Sequence, residues 1–524
     1  MCKMAKNEGM QESIRELQKR RSLAHCSAGE EKIADVHRKG LLTARERVEA
    51  LLDPGTFFEQ YLFGETISRD FGLDKKRYPG DGAIVGVGEI AKRQVCVMAN
   101  DSLIMGGAGA STHMRKGAQT IDQAVKIGCP YIQLSDSSGG RIQEGTNITT
   151  YAGSMFYSHT RASGVIPQIT AIMGRCAGGT VYGAALTDFV FIVDGLGEMF
   201  ITGPAVIREI TGEEVSFSDL GGARVCTEIT GTADFLAVNE KECFDQIRRL
   251  LSFLPANNRE TPPHIQSDDP FDRSVAELEN IVPTNPLKAY DIRRVIKKIL
   301  DNEDFMEVKA NFAKNVVIGF GRMGGETVGI VANQPMFLGG ALSVESSNKS
   351  ARFVRFCDAF NVPLLFLVDT PGYMPGLQQE HGGIIRHGAK LLYAFCEATV
   401  PKVTVVIRKS YGGGHFAMGG HKAHGTDLIF AWPNAEFAIM GAEQATKILY
   451  KRELKAASDP AALLQEKIKE YRDLFSNPYR QAQTMCIDDV IEPAETRSKI
   501  IRAFNILKGK REEKVSRKHG NPPF

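Results

Sequence analysis

The sequence predicts an α/β protein built as two copies of one strand-and-helix domain within a single chain. Three observations predict it. The first is long-range self-similarity: sliding the chain on itself by 233 residues lays GVGEIAKRQVCVMANDSLIMGGA (86–108) over GFGRMGGETVGIVANQPMFLGGA (319–341). In that register Gly86 meets Gly319, Gly88 meets Gly321, Asn100 meets Asn333, Lys116 meets Lys349, Asp136 meets Asp369 and Gly139 meets Gly372. One residue further out, Pro167 meets Pro401, and Gly178-Gly179 meets Gly412-Gly413. A register held over so long a stretch marks a duplication. The second is that strand-like apolar runs alternate with amphipathic helical ones in each copy, which implies βαβ units, mostly parallel pairing and right-handed crossovers. The third is size and composition: 524 residues, 43% hydrophobic and 24% charged, suffice for more than one buried core and describe a folded chain.

In chain order, Thr43-Ala-Arg-Glu46 has the capping-box pattern, and the helix it opens stops at Asp53-Pro54-Gly55. An apolar hairpin follows (AIVGVGEIAKRQVCVMAN), then a Gly-Gly turn, an amphipathic helix, a buried strand (PYIQLSD) and a glycine-rich loop. A second helix and strand (IPQITAIM) lead into another glycine loop. The Pro-rich polar stretch at 254–274 reads as a linker, dividing an N-terminal domain over 1–260 from a C-terminal domain over 275–524. The second copy repeats the pattern with VVIGFGRMGGETVGIVAN, PLLFLVD and VPKVTVVI. Charged segments at 443–475 and 495–515 then carry apolar residues at helical spacing, so their charges read as solvated faces.

Several function classes fall away. A net charge of +2 supplies no field for nucleic acid or an anionic membrane. The ten cysteines show neither C-x-x-C nor zinc spacing, so neither disulfides nor a metal site are expected. No apolar signal segment opens the chain and no run of eighteen apolar residues occurs, so a cytoplasmic protein without a membrane span is expected, or a mitochondrial matrix one if eukaryotic. Gly319-Phe-Gly-Arg-Met-Gly324 matches G-x-G-x-x-G, but a strand-like run follows where a dinucleotide site needs a helix. Neither a P-loop nor a G-x-S-x-G elbow is present. Met1-Cys-Lys-Met4 lacks the setting of a biotin-attachment sequence, so any biotin used is carried by another chain.

Four glycine-rich loops remain, at equivalent places in the copies: 136–145, 175–180, 369–376 and 409–414. Without Cβ atoms, backbone N–H groups can approach an anion closely, which is how oxyanion holes are built. Asp136 and Asp369, at strand ends, read as fixing their loops rather than moving protons.

At these residues the chain resembles the carboxyltransferase (β) subunits of biotin-dependent acyl-CoA carboxylases, the propionyl-CoA and methylcrotonyl-CoA kinds above all. The resemblance rests on LTARERVEALLDPGTFFE (42–59), DSSGGRIQEG (136–145), ASGVIPQITAIMGRCAGGTVYGAALTDF (162–189), GGIIRHGAKLLYAFCEATVPKVTVVIRKSYGGG (382–414), AWPNAEFAIMG (431–441) and KHGNPPF (518–524). It implies a crotonase-like ββα superhelix, duplicated, and assembly into a hexamer, a trimer of dimers in which the N domain of one subunit faces the C domain of its partner. It further implies that carboxybiotin, on a carrier protein served by a biotin carboxylase, releases CO2, that the ureido oxyanion takes the acyl-CoA α-proton, and that the enolate captures CO2. The site residues it carries over are the amides of Gly178 and Gly179 for one oxyanion and those of Gly413 and Gly414 for the other. The first pair is assigned to the thioester and the second to biotin, with the reverse pairing left open.

No protein base is then required, so His381 and His387 read as structural. Gly139, Gly140 and Arg141 are expected at the substrate, with Lys116, Arg141 and Lys349 as candidates to neutralise CoA phosphates. His415 and Phe416 are expected at the acyl group; Phe416 stands where propionyl-type members usually carry Asp, which leaves acyl length open toward methylcrotonyl or longer chains. The split chains and zinc ribbon of bacterial acetyl-CoA carboxyltransferases are not seen. Two other readings stay open: the same half-reaction reversed, in a decarboxylase or transcarboxylase, and a non-catalytic CoA-binding protein.

Overall fold

The computed structural model describes residues 2–513 and 515–524, with side chains from Gly9 onward; the side chains of Met1-Cys-Lys-Met4, and Lys514 within the segment expected to be helical, lie outside the described residues. The chain forms two compact units, one comprising residues through Ser252 plus Ala256–Arg259, the other Phe253–Pro255 and Glu260–Phe524.

In the first unit, β1 (Phe58–Gln60), β2 (Ala83–Ile90) and β3 (Arg93–Asn100) pair antiparallel, and β4 (Tyr131–Ser137), β5 (Gln168–Ala177), β6 (Phe189–Val193) and β8 (Phe235–Ala237) continue the sheet in parallel, with β7 (Glu198–Phe200) beside the end of β5. The second unit repeats this: β9 (Phe305–Val308), β10 (Val316–Met323) and β11 (Glu326–Asn333) are antiparallel, and β12 (Leu364–Thr370), β13 (Lys402–Tyr411), β14 (Leu428–Ala431) and β16 (Asp489–Val490) parallel, with β15 (Glu436–Ala438) beside β13. Each third strand crosses to the fourth through a long helix, Ser111–Ile127 and Val344–Ala359 respectively. The Thr43–Glu46 capping box is formed, opening the helix Ala44–Leu51.

The repeated G-x-G serves packing. A Cβ at Gly86 would lie 2.2 Å from the Phe58 carbonyl oxygen and one at Gly319 2.3 Å from that of Met306; at Gly88 and Gly321 it would meet Leu52 at 2.5 Å and Leu300 at 2.4 Å. Strand-interior glycines of this kind mark close approach of a neighbour, and that approach recurs in both copies.

The stretch read as a linker is largely structured. From Glu260 it belongs to the second unit, where the Ile265 N–H donates to the Gly325 carbonyl (3.0 Å) and Asp269 pairs with Arg273 (2.6 Å). The 443–475 segment is helical in three pieces, Ala442–Leu449, Lys451–Ala456 and Pro460–Phe475, the last set apart because Pro460 cannot continue a preceding helix and Asp459 caps a new one. The C-terminal helix ends at Leu507.

Beneath the second sheet, Val317, Ile330, Leu365, Val405, Trp432 and Ile500 share one core. Arg497, wholly buried on the C-terminal helix, donates from Nη1 to the Ile299 carbonyl (2.7 Å) and pairs through Nη2 with Asp301 (2.7 Å), whose carboxylate also accepts the N–H groups of Gly324 and Gly325 (3.0 and 2.7 Å). Arg497→Ala strands Asp301 as a buried charge, so a loss of about 3–5 kcal/mol in unfolding free energy is expected in urea denaturation.

Candidate active site

In the first unit, β4 delivers Asp136 to the start of its glycine loop. The Asp136 carboxylate accepts from Arg47 Nη1 (3.1 Å) and Ser102 Oγ (2.8 Å), while Arg47 is itself held by Glu240 (2.6 Å) and the Met173 carbonyl (3.1 Å). Beyond it the loop is laced to the segment after β3: the Gly109 N–H donates to the Gly139 carbonyl (2.7 Å) and the Arg141 N–H to the Gly109 carbonyl (2.8 Å). Glu144, with its side chain fully buried, closes the loop by accepting the N–H and hydroxyl of Ser111 (2.8 and 2.6 Å), the Thr66 hydroxyl (2.7 Å) and Arg141 Nη1 (3.2 Å). Alongside, Gly178 turns β5 into the short helix Gly179–Ala185 with φ of 59°, a conformation that suits glycine. Gly179 opens that helix, and nothing among the described residues lies within 4 Å of where its Cβ would be. The space beside it is bordered by Met98, Asn100, His113, Met155 and Phe156. His113 bonds Asn100 there (2.7 Å), and burial, with Arg141 and Lys116 nearby, pushes its pKa down to about 3, so it is neutral.

The second unit builds the same frame from other residues. Asp369 accepts Arg408 Nε (2.8 Å) and the Lys409 N–H (3.3 Å). The Leu342 N–H donates to the Gly372 carbonyl (2.9 Å) and the Met374 N–H to the Leu342 carbonyl (2.7 Å), and Gln379 takes the place of Glu144 by accepting the Val344 N–H (2.9 Å). Gly412 turns β13 into the helix Gly412–Ala417 at φ 50°. Glycine is obligatory at the next two positions: a Cβ at Gly413 would lie 2.9 Å from the Tyr373 ring, and one at Gly414 2.8 Å from Thr370 and 2.9 Å from the Gly372 Cα. Tyr373 is steadied from its other side by Gly388, whose carbonyl accepts its hydroxyl (3.2 Å).

Four of the residues singled out from the sequence have their polar groups engaged within the fold. The Gly178 N–H is spent on the carbonyls of Phe200 (3.3 Å) and Ile201 (3.1 Å), so in the first unit the donor left to a ligand is Gly179. Lys116 is turned inward, its ammonium donating to the carbonyls of Gly80 (3.0 Å) and Ala83. Its repeat partner Lys349 donates to the carbonyls of Lys309 (3.0 Å), Phe312 (2.8 Å), Ala313 (3.3 Å) and Val316 (2.7 Å). Arg141 is buried against Asp81 (2.7 Å) and Glu144. None of these three cations reaches solvent to meet a CoA phosphate. His415 donates to or accepts from Ser410 Oγ (2.9 Å) and packs against Phe437; burial, with His421 and His424, pushes its pKa down to about 4. Phe416 is 44% exposed. Gly139 and Gly140 lie in the loop adjoining Gly178. His387 bonds Asn348 (2.9 Å). Arg47, Glu144, Tyr373 and Arg408 were not singled out from sequence, although each lies within or beside a motif string that was.

Burial disfavours charge on Glu144, yet its bonds to Ser111 and Thr66 and the Arg141 charge hold its pKa below the ordinary 4.5. Its stabilisation is therefore complete above that value and lost as pH falls through the lowered one. Asp81 shifts upward, through burial first and with the Glu144 charge adding to it, and so titrates in the opposite sense. Glu144→Gln is expected to cost about 1–3 kcal/mol at neutral pH and to narrow its deficit against the wild type in acid; unfolding curves of both proteins from pH 7 to 3 check this.

Comparison with known proteins agrees with this architecture. Residues 35–522 match the family described as the carboxyl transferase domain. The chain is 50% identical over 515 residues to the propionyl-CoA carboxylase carboxyltransferase subunit of Haloferax mediterranei, covering 98% of this chain and 100% of that one. It is 46% identical over 511 residues to the methylmalonyl-CoA decarboxylase subunit alpha of Propionigenium modestum, covering 98% and 99%. The crystal structure of transcarboxylase 12S, a hexamer with methylmalonyl-CoA and methylmalonic acid bound, superposes with a TM-score of 0.95 at 45% identity, covering 98% of each chain. The two sheets are thus the duplicated crotonase-like fold, and no helix among the described residues is long and apolar enough to cross a membrane. The chain belongs to the carboxyl transferase family, as a biotin-dependent acyl-CoA carboxyltransferase.

Proposed function

We propose that this chain is the carboxyltransferase subunit of an acyl-CoA carboxylase acting on the propionyl-CoA and methylmalonyl-CoA pair, assembled as a hexamer and served by a biotin carboxylase and a separate biotin carrier. The carrying observation is the pair of equivalent strand-to-helix turns, Gly178-Gly179 and Gly412-Gly413, one per copy and each set against a glycine loop braced by an aspartate. Relatives that share 45–50% of the sequence over nearly its whole length are named for that same acyl pair, which favours it over methylcrotonyl or longer chains.

In this reading the Gly179 N–H, on the first residue of its helix, donates to the thioester oxygen as negative charge develops there. Gly413 and Gly414, in the first turn of theirs, offer N–H groups that the helix itself leaves unpaired, and these receive the biotin ureido oxygen. Their missing Cβ atoms suit a planar ring, since any side chain at 413 or 414 would fill the approach with atoms already packed on Tyr373 and Thr370. Carboxybiotin supplies the carboxyl group and, once that has left, the base for the α-proton. Each preorganised donor contributes about 2.7–4 kcal/mol to the transition state. Decarboxylase and transcarboxylase relatives use the same half-reaction, and the partners set its direction.

Two expectations follow from this assignment. Purified protein given free biotin and malonyl-, methylmalonyl-, methylglutaconyl- or glutaconyl-CoA is expected to decarboxylate methylmalonyl-CoA in a biotin-dependent way; CoA binding without loss from any ester would leave a protein that only binds. Gly179→Pro is expected to lower that rate roughly 10²–10³-fold without disturbing the oligomer measured by sedimentation. Proline suits a first helical position, and the space at its Cβ is open, so full activity in this variant overturns the donor assignment.

A further inference from the structure

The turn that carries the Gly413 and Gly414 amides follows directly on Tyr411, the last residue of β13. Tyr411 is buried, and its hydroxyl donates to Oε2 of Glu436, the first residue of β15. The two strands run parallel with Lys409 opposite Glu436 and Tyr411 opposite Ala438, so the bond runs diagonally between side chains on one face. Burial first, and then the Glu436 charge, push the Tyr411 pKa up, so the hydroxyl keeps the proton it donates. The other Glu436 oxygen lies 4.0 Å from Arg472 Nε on the helix Pro460–Phe475.

The first copy has the same two strands without this bond. There β7 lies beside β5 with Arg175 opposite Glu198 and Ala177 opposite Phe200, so Glu198 stands where Glu436 does and an alanine stands where Tyr411 does. Glu198 pairs instead with Arg175 Nε (3.2 Å), whose guanidinium carbon lies 4.0 Å from the centre of the Phe217 ring. The turn of that copy is held through its backbone, by the Gly178 N–H on the Phe200 and Ile201 carbonyls. The glutamate recurs with a different partner in each copy, so the fold they share does not require the Tyr411–Glu436 bond. Its effect falls on the residues that follow. Gly412 is left-handed at φ 50°, where a Cβ would lie 2.8 Å from the Ile439 carbonyl oxygen, and Gly413 meets the Tyr373 ring. The turn is therefore set between the end of β15 and Tyr373, and Tyr411, tied to β15, fixes the peptide from which the next N–H groups are aimed.

We propose that Glu436 is a positioning residue for the biotin half of the reaction: by accepting the Tyr411 hydroxyl it holds the end of β13 so that the Gly413 and Gly414 N–H groups meet the ureido oxygen in line. The inference rests on the reading of those amides as the biotin site. Donors aimed at one oxygen lose their value when displaced, an ångström of misplacement costing about 10²-fold in rate.

The test uses the assembled protein and measures biotin-dependent decarboxylation of methylmalonyl-CoA, varying free biotin and the ester in turn. Glu436→Ala is expected to lower kcat/KM for biotin roughly 10- to 10²-fold, while KM for methylmalonyl-CoA stays as in the wild type. Glu436→Gln keeps an acceptor for the hydroxyl and is expected to recover most of that loss. Tyr411→Phe, which keeps the ring and removes the donor, is expected to match Glu436→Ala, and the double variant to fall no further than either. An unchanged kcat/KM for biotin in Glu436→Ala and Tyr411→Phe overturns the positioning role. A loss shared equally by biotin and ester, with Glu436→Gln no better than Glu436→Ala, overturns it too, as a general effect on the scaffold. No turnover in the wild type overturns the carboxyl-transfer reading, and this inference with it.

Discussion

A carboxylate gripped by a guanidinium at the end of the fourth strand of each copy is the constraint on which both glycine loops depend. Asp136 and Asp369 each sit where the strand ends and the loop turns; Asp369 is fully buried, where a charge persists only with a partner, while Asp136 is partly buried. The copies supply that partner differently. In the second, Arg408 on β13 donates to Asp369; the position equivalent to Arg408 in the first copy is Gly174, where a Cβ would fall 2.1 Å from Asp136 Oδ1. The first copy takes its guanidinium instead from Arg47 on the capped helix Ala44–Leu51; the matching helix of the second copy, Ile292–Ile299, carries the buried Val295 at that place. One requirement has two answers, and the order of the first loop is tied to the docking of that helix through Arg47, where the second copy's helix contributes only apolar packing at the same position.

Much of the fold was legible because the duplication made the chain its own comparison. The hairpin, crossover helix and fourth strand of each copy fell where the 233-residue register put them. The same register misled where chemistry was read into it. Lys116 and Lys349 align, and a shared lysine beside a glycine loop invites a phosphate; both instead gather the carbonyls of the turn leading into β2 or β10. Two copies of one domain share their scaffold, so identity between them points first to structure. The G-x-G pair is another case, fixed by the strand or leucine packed across it rather than by a nucleotide.

The turns of the candidate site were legible at their glycines and obscure at their supports. A positive φ at Gly178 and Gly412 is written in the residue type, but whether an amide is free depends on what lies beside it, and the Phe200 and Ile201 carbonyls that engage Gly178 are brought there by β7 from twenty residues away. Glu144 and Gln379 do the same work on unlike side chains at positions the register does not match, so no repeat analysis finds them. Tyr373 was visible only as one letter of a loop, although its ring sets what Gly413 must be.

The division between the units has a bearing on how such a protein can be encoded. Every partner of Asp136 named here, Arg47 and Ser102 with Glu240 behind them, lies in the first unit, and Arg408 and Lys409 lie with Asp369 in the second. The boundary is interleaved, with Phe253–Pro255 belonging to the second unit and Ala256–Arg259 to the first. A gene divided just after codon 259 would sever neither charge network, whereas one divided a few codons earlier would part Ala256–Arg259 from the unit they complete.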